Sequence, residues 1–202
     1  MRINQKDFFS KHDPKILQII LESTIGIAGA GGLGSNVAVA LARVGIGKLI
    51  IADFDKIETS NLNRQQYFLK QIGEPKVKAL RANLMRINPF SNYQIHHIKL
   101  DEKNIPIIYK NVDIMVEAFD KAEMKKMLIE TWLSYFPKKP IIAASGLAGF
   151  GMNNKIHQKK IGNLYICGDE ETELKEGFSP MAPRVGIVAN MQANLVLEML
   201  LM

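Results

Sequence analysis

Residues 26–34 read GIAGAGGLG. The short apolar run before them, 24–28, predicts a buried strand, and 33–44 predicts a helix. Gly29, Gly31 and Gly34 fit the G-x-G-x-x-G spacing, and Gly32 adds a fourth glycine. A backbone without Cβ atoms turns tightly and brings its N–H groups against phosphate oxygens. The helix behind it aims unpaired N–H groups and a partial positive charge at the same place. The loop is therefore expected to hold a nucleotide phosphate. Glycines also serve strand–helix packing, so the flanking strand and helix are what give the spacing its meaning.

Outward from this loop, strand and helix signals alternate. Gly45 and Gly47 end the first helix, and 48–52 predicts a second strand closing on Asp53. A loop over 54–68 leads to a helix over 74–87, with Pro75 in its first turn and Asn88-Pro89 as its stop. Strands are expected over 93–100, 112–116 and 140–144, with a short helix over 104–110 and a longer one over 121–135 between them. A second glycine-rich turn covers 146–151, one or two β elements cover 155–168, and a final helix covers 184–202. Residues 1–22 read as a helical lead-in with a start signal at Asp13-Pro14. The alternation implies an α/β fold: a doubly wound, mostly parallel, Rossmann-like sheet with extra β elements and a C-terminal apolar helix. Neither a repeat nor a long linker divides the chain, so 1–202 is expected to form one domain.

Hydrophobic residues at 47% and charged residues at 23% are ordinary for a soluble globular chain. A formal charge of +6 fits nucleic acid, an acidic protein partner or a polyphosphate ligand. The cations are scattered apart from Lys125-Lys126, Lys138-Lys139 and Lys159-Lys160, which read as solvated surface, so nucleic acid is not favoured. One cysteine, Cys167, excludes an internal disulfide and a multi-cysteine zinc site, and fits a reducing cytoplasm. Residues 1–10 lack an apolar signal core, and Asn190, Gln192, Asn194 and Glu198 interrupt the final helix, so no membrane span is expected. That helix is otherwise apolar nearly all round. It calls for burial on most sides, by the chain itself or by a second copy in a homodimer.

Asp53 stands nineteen positions after Gly34, where a carboxylate accepts hydrogen bonds from ribose hydroxyls or caps the loop. The spacing favours ribose and equally describes a nicotinamide-dependent oxidoreductase. Asn61, Arg64 and Gln65 follow in the next loop, and Lys76 opens the next helix. Two cations and an amide near one phosphate loop suit a triphosphate, with about four negative charges, better than a dinucleotide with about two. Arg64 could instead pair with Asp53 or Asp55, and Lys76 could be a solvated helix start, although a cation there opposes the helix dipole. Asp120 follows the fourth strand, where a carboxylate facing a triphosphate would hold Mg²⁺ or cap the following helix. Glu117 could do either.

GAGGLG at 29–34, Asp53-Phe54-Asp55, SNLNRQ at 60–65, GEPK at 73–76 and the Asp120 strand end occur in this order. The pattern resembles the ThiF/MoeB superfamily, whose members resemble the adenylation domain of ubiquitin-activating enzymes. The resemblance covers 24–120, and Met181–Gly186 with the final helix is similar to the short ThiF subfamily. It implies ATP on Gly29, Gly31, Gly32 and Gly34, with ribose on Asp53 and Asp55 in the nucleotide-binding set. It also implies phosphate contacts from Asn61, Arg64 and Lys76, support from Gln65, and magnesium on Asp120. Arg64, Lys76 and Asp120 would be the catalytic set. The paired Cys-x-x-Cys motifs of longer members are missing, so no zinc is expected, and the usual Asp-Asn pair is Asp120-Lys121 here. Cys167 reads as a buried strand residue rather than a sulfur-transfer nucleophile.

The activity so implied is adenylation of the C-terminal glycine of a small ubiquitin-like sulfur carrier of the ThiS type. Its acyl-adenylate would serve thiamine thiazole synthesis with a separate sulfur-donor protein. A molybdopterin-type carrier, a peptide or a modified tRNA base are alternative carboxylates. An oxidoreductase of the same fold and a nucleotide-binding scaffold without chemistry are alternative classes.

Overall fold

The structure, a computed structural model, describes residues 4–172 and 178–202; the first three residues of the expected lead-in lie outside them. Its helices are α1 (Gln5–Phe8), α2 (Pro14–Glu22), α3 (Gly32–Val44), α4 (Lys76–Ile87), α5 (Ile105–Ile108), α6 (Ala122–Tyr135) and α7 (Ala182–Leu201). Its strands are β1 (Thr24–Ala28), β2 (Lys48–Ala52), β3 (Asn92–His96), β4 (Ile114–Glu117), β5 (Ile141–Ala144), β6 (His157–Ile161) and β7 (Leu164–Gly168). They form one sheet in the order β3-β2-β1-β4-β5-β7-β6. Among the described strands only β6 runs antiparallel, against β7. This is the doubly wound α/β architecture expected, with β6 and β7 as the extra β elements.

The chain leaves β1 toward β2 and β3, then returns to β4 on the other side. That reversal opens a crevice at the carboxyl ends of β1 and β4, where ligands of such sheets sit. Alternate strand residues face opposite layers. Ile25, Ile27, Leu49, Ile51 and Ile142 pack under α3, α4 and α7, against Val37, Leu41, Leu80, Val188 and Val196. Ala28, Ile50, Met115 and Ile141 pack on the other face against Tyr109, Leu128 and Trp132.

Several expected boundaries move. The lead-in is two helices, because Asp13 accepts from the N–H groups of Lys15 and Ile16 and restarts the chain after a turn. The third strand stops at His96, where its pairing with Ala52 ends. The fourth strand runs later, to Glu117, because its register with β1 pairs Ile114 with Ile25 and Glu117 with Ala28.

The glycine loop divides into two kinds of position. Gly29 has φ of 103°, and a Cβ on it would stand 2.7 Å from the Ala118 carbonyl oxygen. A Cβ on Gly34 would stand 1.9 Å from the Gly29 carbonyl oxygen, so the first turn of α3 touches the end of β1 through bare backbone. Gly31 differs: its nearest neighbour would be Gln65 Nε2 at 3.9 Å.

The expected demand of α7 for burial is largely met within the chain. Val185, Val188, Ala189, Leu195 and Val196 are buried, and α3 runs alongside. Buried Gln192 donates to the carbonyls of Glu117 and Ile142, tying the helix across β4 and β5. Ile187 stays exposed. Among the described residues no helix is long and apolar enough to cross a membrane.

The Gly34→Ala substitution forces backbone against backbone and is expected to cost roughly 2–3 kcal/mol or prevent folding. Gly31→Ala should unfold within a few tenths of a kcal/mol of the parent. Thermal denaturation of both variants reads the contrast.

Candidate nucleotide site

The site grows from the turn after β1. Asp53, half-buried just past β2, accepts from the Ala30 N–H at 2.7 Å and from the Asp55 N–H at 2.7 Å. Burial pushes its carboxyl above the ordinary aspartate range, against the pull of these N–H groups and of Lys76. The carboxylate thus props the loop, and a carboxylate with about four acceptor sites retains capacity for ribose hydroxyls. Tyr67 holds the other side of the turn, its hydroxyl donating to the Ala30 carbonyl at 2.7 Å.

The segment carrying Asn61, Arg64 and Gln65 is stitched to the first turn of α3. Asn36 donates to the Arg64 carbonyl at 3.0 Å, and the Gln66 N–H donates to Ser35 Oγ at 3.1 Å. The Arg64 stem passes 3.7 Å from where a Gly32 Cβ would lie. Its guanidinium donates to the Ser60 carbonyl at 3.0 Å and to Asn63 Oδ1 at 2.7 Å, not to Asp53 or Asp55. No side chain caps the N-terminus of α3. Gln65 is buried beside Gly31, and its Oε1 has no partner. Its Nε2, a donor, is the atom nearest the open glycine cradle and suits an incoming phosphate oxygen.

Lys76 departs from the solvated helix start weighed above. It is only 7% exposed and pairs with Asp55 at 2.7 Å, so Asp55 offsets its clash with the dipole of α4. Asp55 is thereby an orienter of the lysine. Asn61 serves locally: its Oδ1 accepts from the Glu58 N–H at 3.0 Å and closes a helical turn over Thr59–Asn61. Asp53, the Arg64 stem and Gln65 thus meet the glycine loop, while Lys76 is placed by its pairing with Asp55, two residues past Asp53.

Asp120 lies beyond the end of β4, exposed and outside the cap position of α6, which Lys121 occupies without a side-chain cap. The capping role weighed for Asp120 is not what the structure has. Among the described residues no cluster of three or more His, Cys, Asp or Glu is arranged for a metal. A single carboxylate still suits Mg²⁺, whose remaining ligands are phosphate oxygens and water. Glu117 does neither job weighed for it. It is fully buried and bonded to Lys125 at 2.9 and 3.1 Å. Lys125 is thus no solvated surface lysine.

Two groups escaped the sequence reading. Arg184, 2% exposed in the first turn of α7, pairs with Asp169 just past β7 and donates to the Gly151 carbonyl. The N–H groups of Glu171 and Thr172 hold the Asp169 carboxyl below the usual range despite its burial. This pair clamps the 146–151 turn beside the crevice, and Val185 of the same helix reaches within 3.3 Å of a Gly32 Cβ position. An arginine inside an otherwise apolar helix was the available signal. Ser35 and Asn36, polar residues in the first turn behind the glycines, were the other.

This is the fold and loop of a nucleotide-binding α/β protein. The ThiF family profile matches residues 4–202, and the chain belongs to that family. It is 25% identical over 206 residues to the molybdopterin-synthase adenylyltransferase of Salmonella typhimurium, covering 99% of this chain and 82% of that one. It is 31% identical over 180 residues to adenylyltransferase and sulfurtransferase MOCS3 of Caenorhabditis briggsae, covering 85% and 44%. It is 37% identical over 115 residues to ubiquitin-like modifier-activating enzyme 5 of Caenorhabditis elegans, covering 57% and 26%. The chain thus spans about a quarter to under half of the length of these last two relatives. Among solved structures, Escherichia coli tRNA N6-threonylcarbamoyladenosine dehydratase in complex with ATP superposes with a TM-score of 0.86. That likeness is at 20% identity, over 99% of this chain and 97% of that one. Escherichia coli MccB with AMPCPP and MccA gives 0.72 at 23% identity, over 98% and 64%.

Cys167 is fully buried within β7, paired with Ala144 of β5 and Gln158 of β6, and burial pushes its thiol up to about 12. An Ellman-type thiol reagent at pH 8 should leave the native protein unlabelled and titrate one thiol per chain only after denaturation.

Proposed function

We propose that this chain is a single adenylation domain that transfers AMP from MgATP to the terminal carboxylate of a small protein. The observation that supports the reading is a glycine loop met by Asp53, the Arg64 stem and Gln65, with Lys76 held by Asp55 two residues beyond Asp53. Gly31, Gly32 and the N-terminus of α3 would receive phosphate oxygens, Asp53 and Asp55 would face the ribose side, Gln65 would line the phosphates, and Asn61, its Oδ1 spent on its own turn, would reach them only through its Nδ2. Asp120 would hold the metal, which supplies charge neutralisation on the phosphates. A carboxylate oxygen of the partner attacks the α-phosphorus, the bond to the bridging oxygen breaks, and pyrophosphate leaves with that oxygen and its charge. Carboxylate and triphosphate repel each other, so the work of Arg64 and Lys76 is to neutralise and position.

The substrate we infer is a ubiquitin-like sulfur carrier with a Gly-Gly end, of the ThiS type, and the product acyl-adenylate passes to a separate sulfur donor. Names of relatives that include ubiquitin-like modifier activation and molybdopterin synthase support a carrier of this class. The buried Cys167 supports a donor outside this chain. The clamped 146–151 turn and the exposed strand β6 are the surfaces we assign to the carrier's extended tail, because such a peptide pairs with a free strand edge. Cytoplasmic residence belongs to the same reading. So does a homodimer, supported by Phe68 and Leu69 standing 60% and 75% exposed on the segment that follows Arg64 and Gln65.

Arg64→Ala and Lys76→Ala should each lower carrier-dependent exchange of pyrophosphate into ATP by about a hundredfold or more, with the fold retained. Candidate carriers added one at a time identify the substrate. Near-parental exchange in both variants removes the assignment. Light scattering at micromolar concentration should return twice the 22.6 kDa chain mass.

A further inference from the structure

Asp120 has no hydrogen bond or ion pair of its own among the described residues, so its place is set by the backbone turn between β4 and α6. One buried cluster governs that turn. The Ala118 N–H donates to the Ala28 carbonyl at 2.9 Å, which carries the β1–β4 pairing one residue past the strand. The Phe119 N–H then turns back onto Glu117 Oε1 at 2.6 Å. The same carboxylate receives Lys125, which sits one turn into α6 and is 23% exposed at its side chain. Lys125 also donates to the Ala144 carbonyl at the end of β5 at 3.1 Å. Three elements, β4, β5 and α6, are thus tied at one point, three residues from Asp120.

A fully buried carboxylate is a poor stabiliser. Its desolvation is expensive, and burial pushes the Glu117 carboxyl above the usual glutamate range. Apolar groups of the same volume would hold strand and helix together as well. What they could not do is fix the direction of the turn, because dispersion contacts have no directional demand while a carboxylate bonded to both an N–H and an ammonium does.

We propose that Glu117 and Lys125 are positioning residues that aim Asp120 at the metal. The proposal rests on the adenylyltransferase reading above. Outer partners of this kind govern metal affinity by about 10–100-fold. Charge removal must be done on both sides, since a lone buried charge would unfold the region.

The test compares the parent, Lys125→Arg and the double variant Glu117→Met/Lys125→Met. The Mg²⁺ concentration giving half-maximal ATP binding is read by calorimetry, and amide hydrogen exchange is followed along residues 118–121. The double variant should keep its melting temperature within a few degrees. It should need about tenfold or more Mg²⁺. It should lose protection at Phe119 while Ala118 keeps it. Lys125→Arg, which keeps a cation on Glu117, should leave both as in the parent. An unchanged Mg²⁺ midpoint overturns the proposal, whatever the protection at Phe119. If the parent binds no ATP at any Mg²⁺ concentration, the adenylyltransferase reading fails. The positioning role then falls with it, whereas a parent that binds ATP and a double variant with the parent's midpoint overturn the positioning role alone.

Discussion

The contact between the Gly34 Cα and the Gly29 carbonyl is the constraint on which the site depends. A methyl group at residue 34 would overlap that oxygen, so α3 can start this close to β1 only with glycine at residue 34. Once the helix starts there, much else is placed. Ser35 and Asn36 on its first turn capture the backbone of residues 64–66. Ala30 is gripped from one side by Asp53 and from the other by Tyr67. Val185 of α7 closes on Gly32. The glycines thus do two jobs: two of them let elements touch, and one leaves open the space a phosphate would fill.

Electrostatics then sorts the neighbours. Lys76 is already buried and held by Asp55 before any ligand arrives. A phosphate would compete with Asp55 for a cation whose side-chain entropy is already lost, so less ordering is left for the binding step. Arg64 is different. Its guanidinium bonds to a backbone carbonyl and to Asn63 at the loop's rim, contacts that an incoming anion could outbid.

Much of this was legible in the residues. The glycine spacing between an apolar run and a helix located β1 and α3, because a 2-period and a 3.6-period pattern meet there. Asp53 was legible from its distance to Gly34. The ends of β3 and β4 were not, because strand length is decided by the neighbour's register, which local sequence does not encode. Lys76 was read as a cation in need of a ligand, and its partner Asp55 was missed. Twenty-one positions separate the two, and only the closing of the intervening loop brings them to 2.7 Å. Gln192 was read as a polar break in an apolar helix. It is a buried tie to two strand carbonyls, which a polarity count cannot distinguish from a solvent-facing residue.

The same device recurs at three helix starts. Lys76 opens α4 and pairs with Asp55 after β2. Lys125 lies one turn into α6 and pairs with Glu117 at the end of β4. Arg184 lies in the first turn of α7 and pairs with Asp169 after β7. None of these helices has a side-chain cap. A cation near a helix N-terminus opposes the macrodipole, so each is a local liability. Each becomes tolerable because the carboxylate that neutralises it lies at or within three residues past the carboxyl end of a strand. The result is a helix start joined to a strand end by a bond with direction, repeated around the rim of one cleft. Hydrophobic layers alone would hold the same elements while letting their ends drift, and loops at a reactive centre tolerate drift of well under an ångström. These ion pairs are therefore better understood as setting where the loops point than as adding to the stability of the fold.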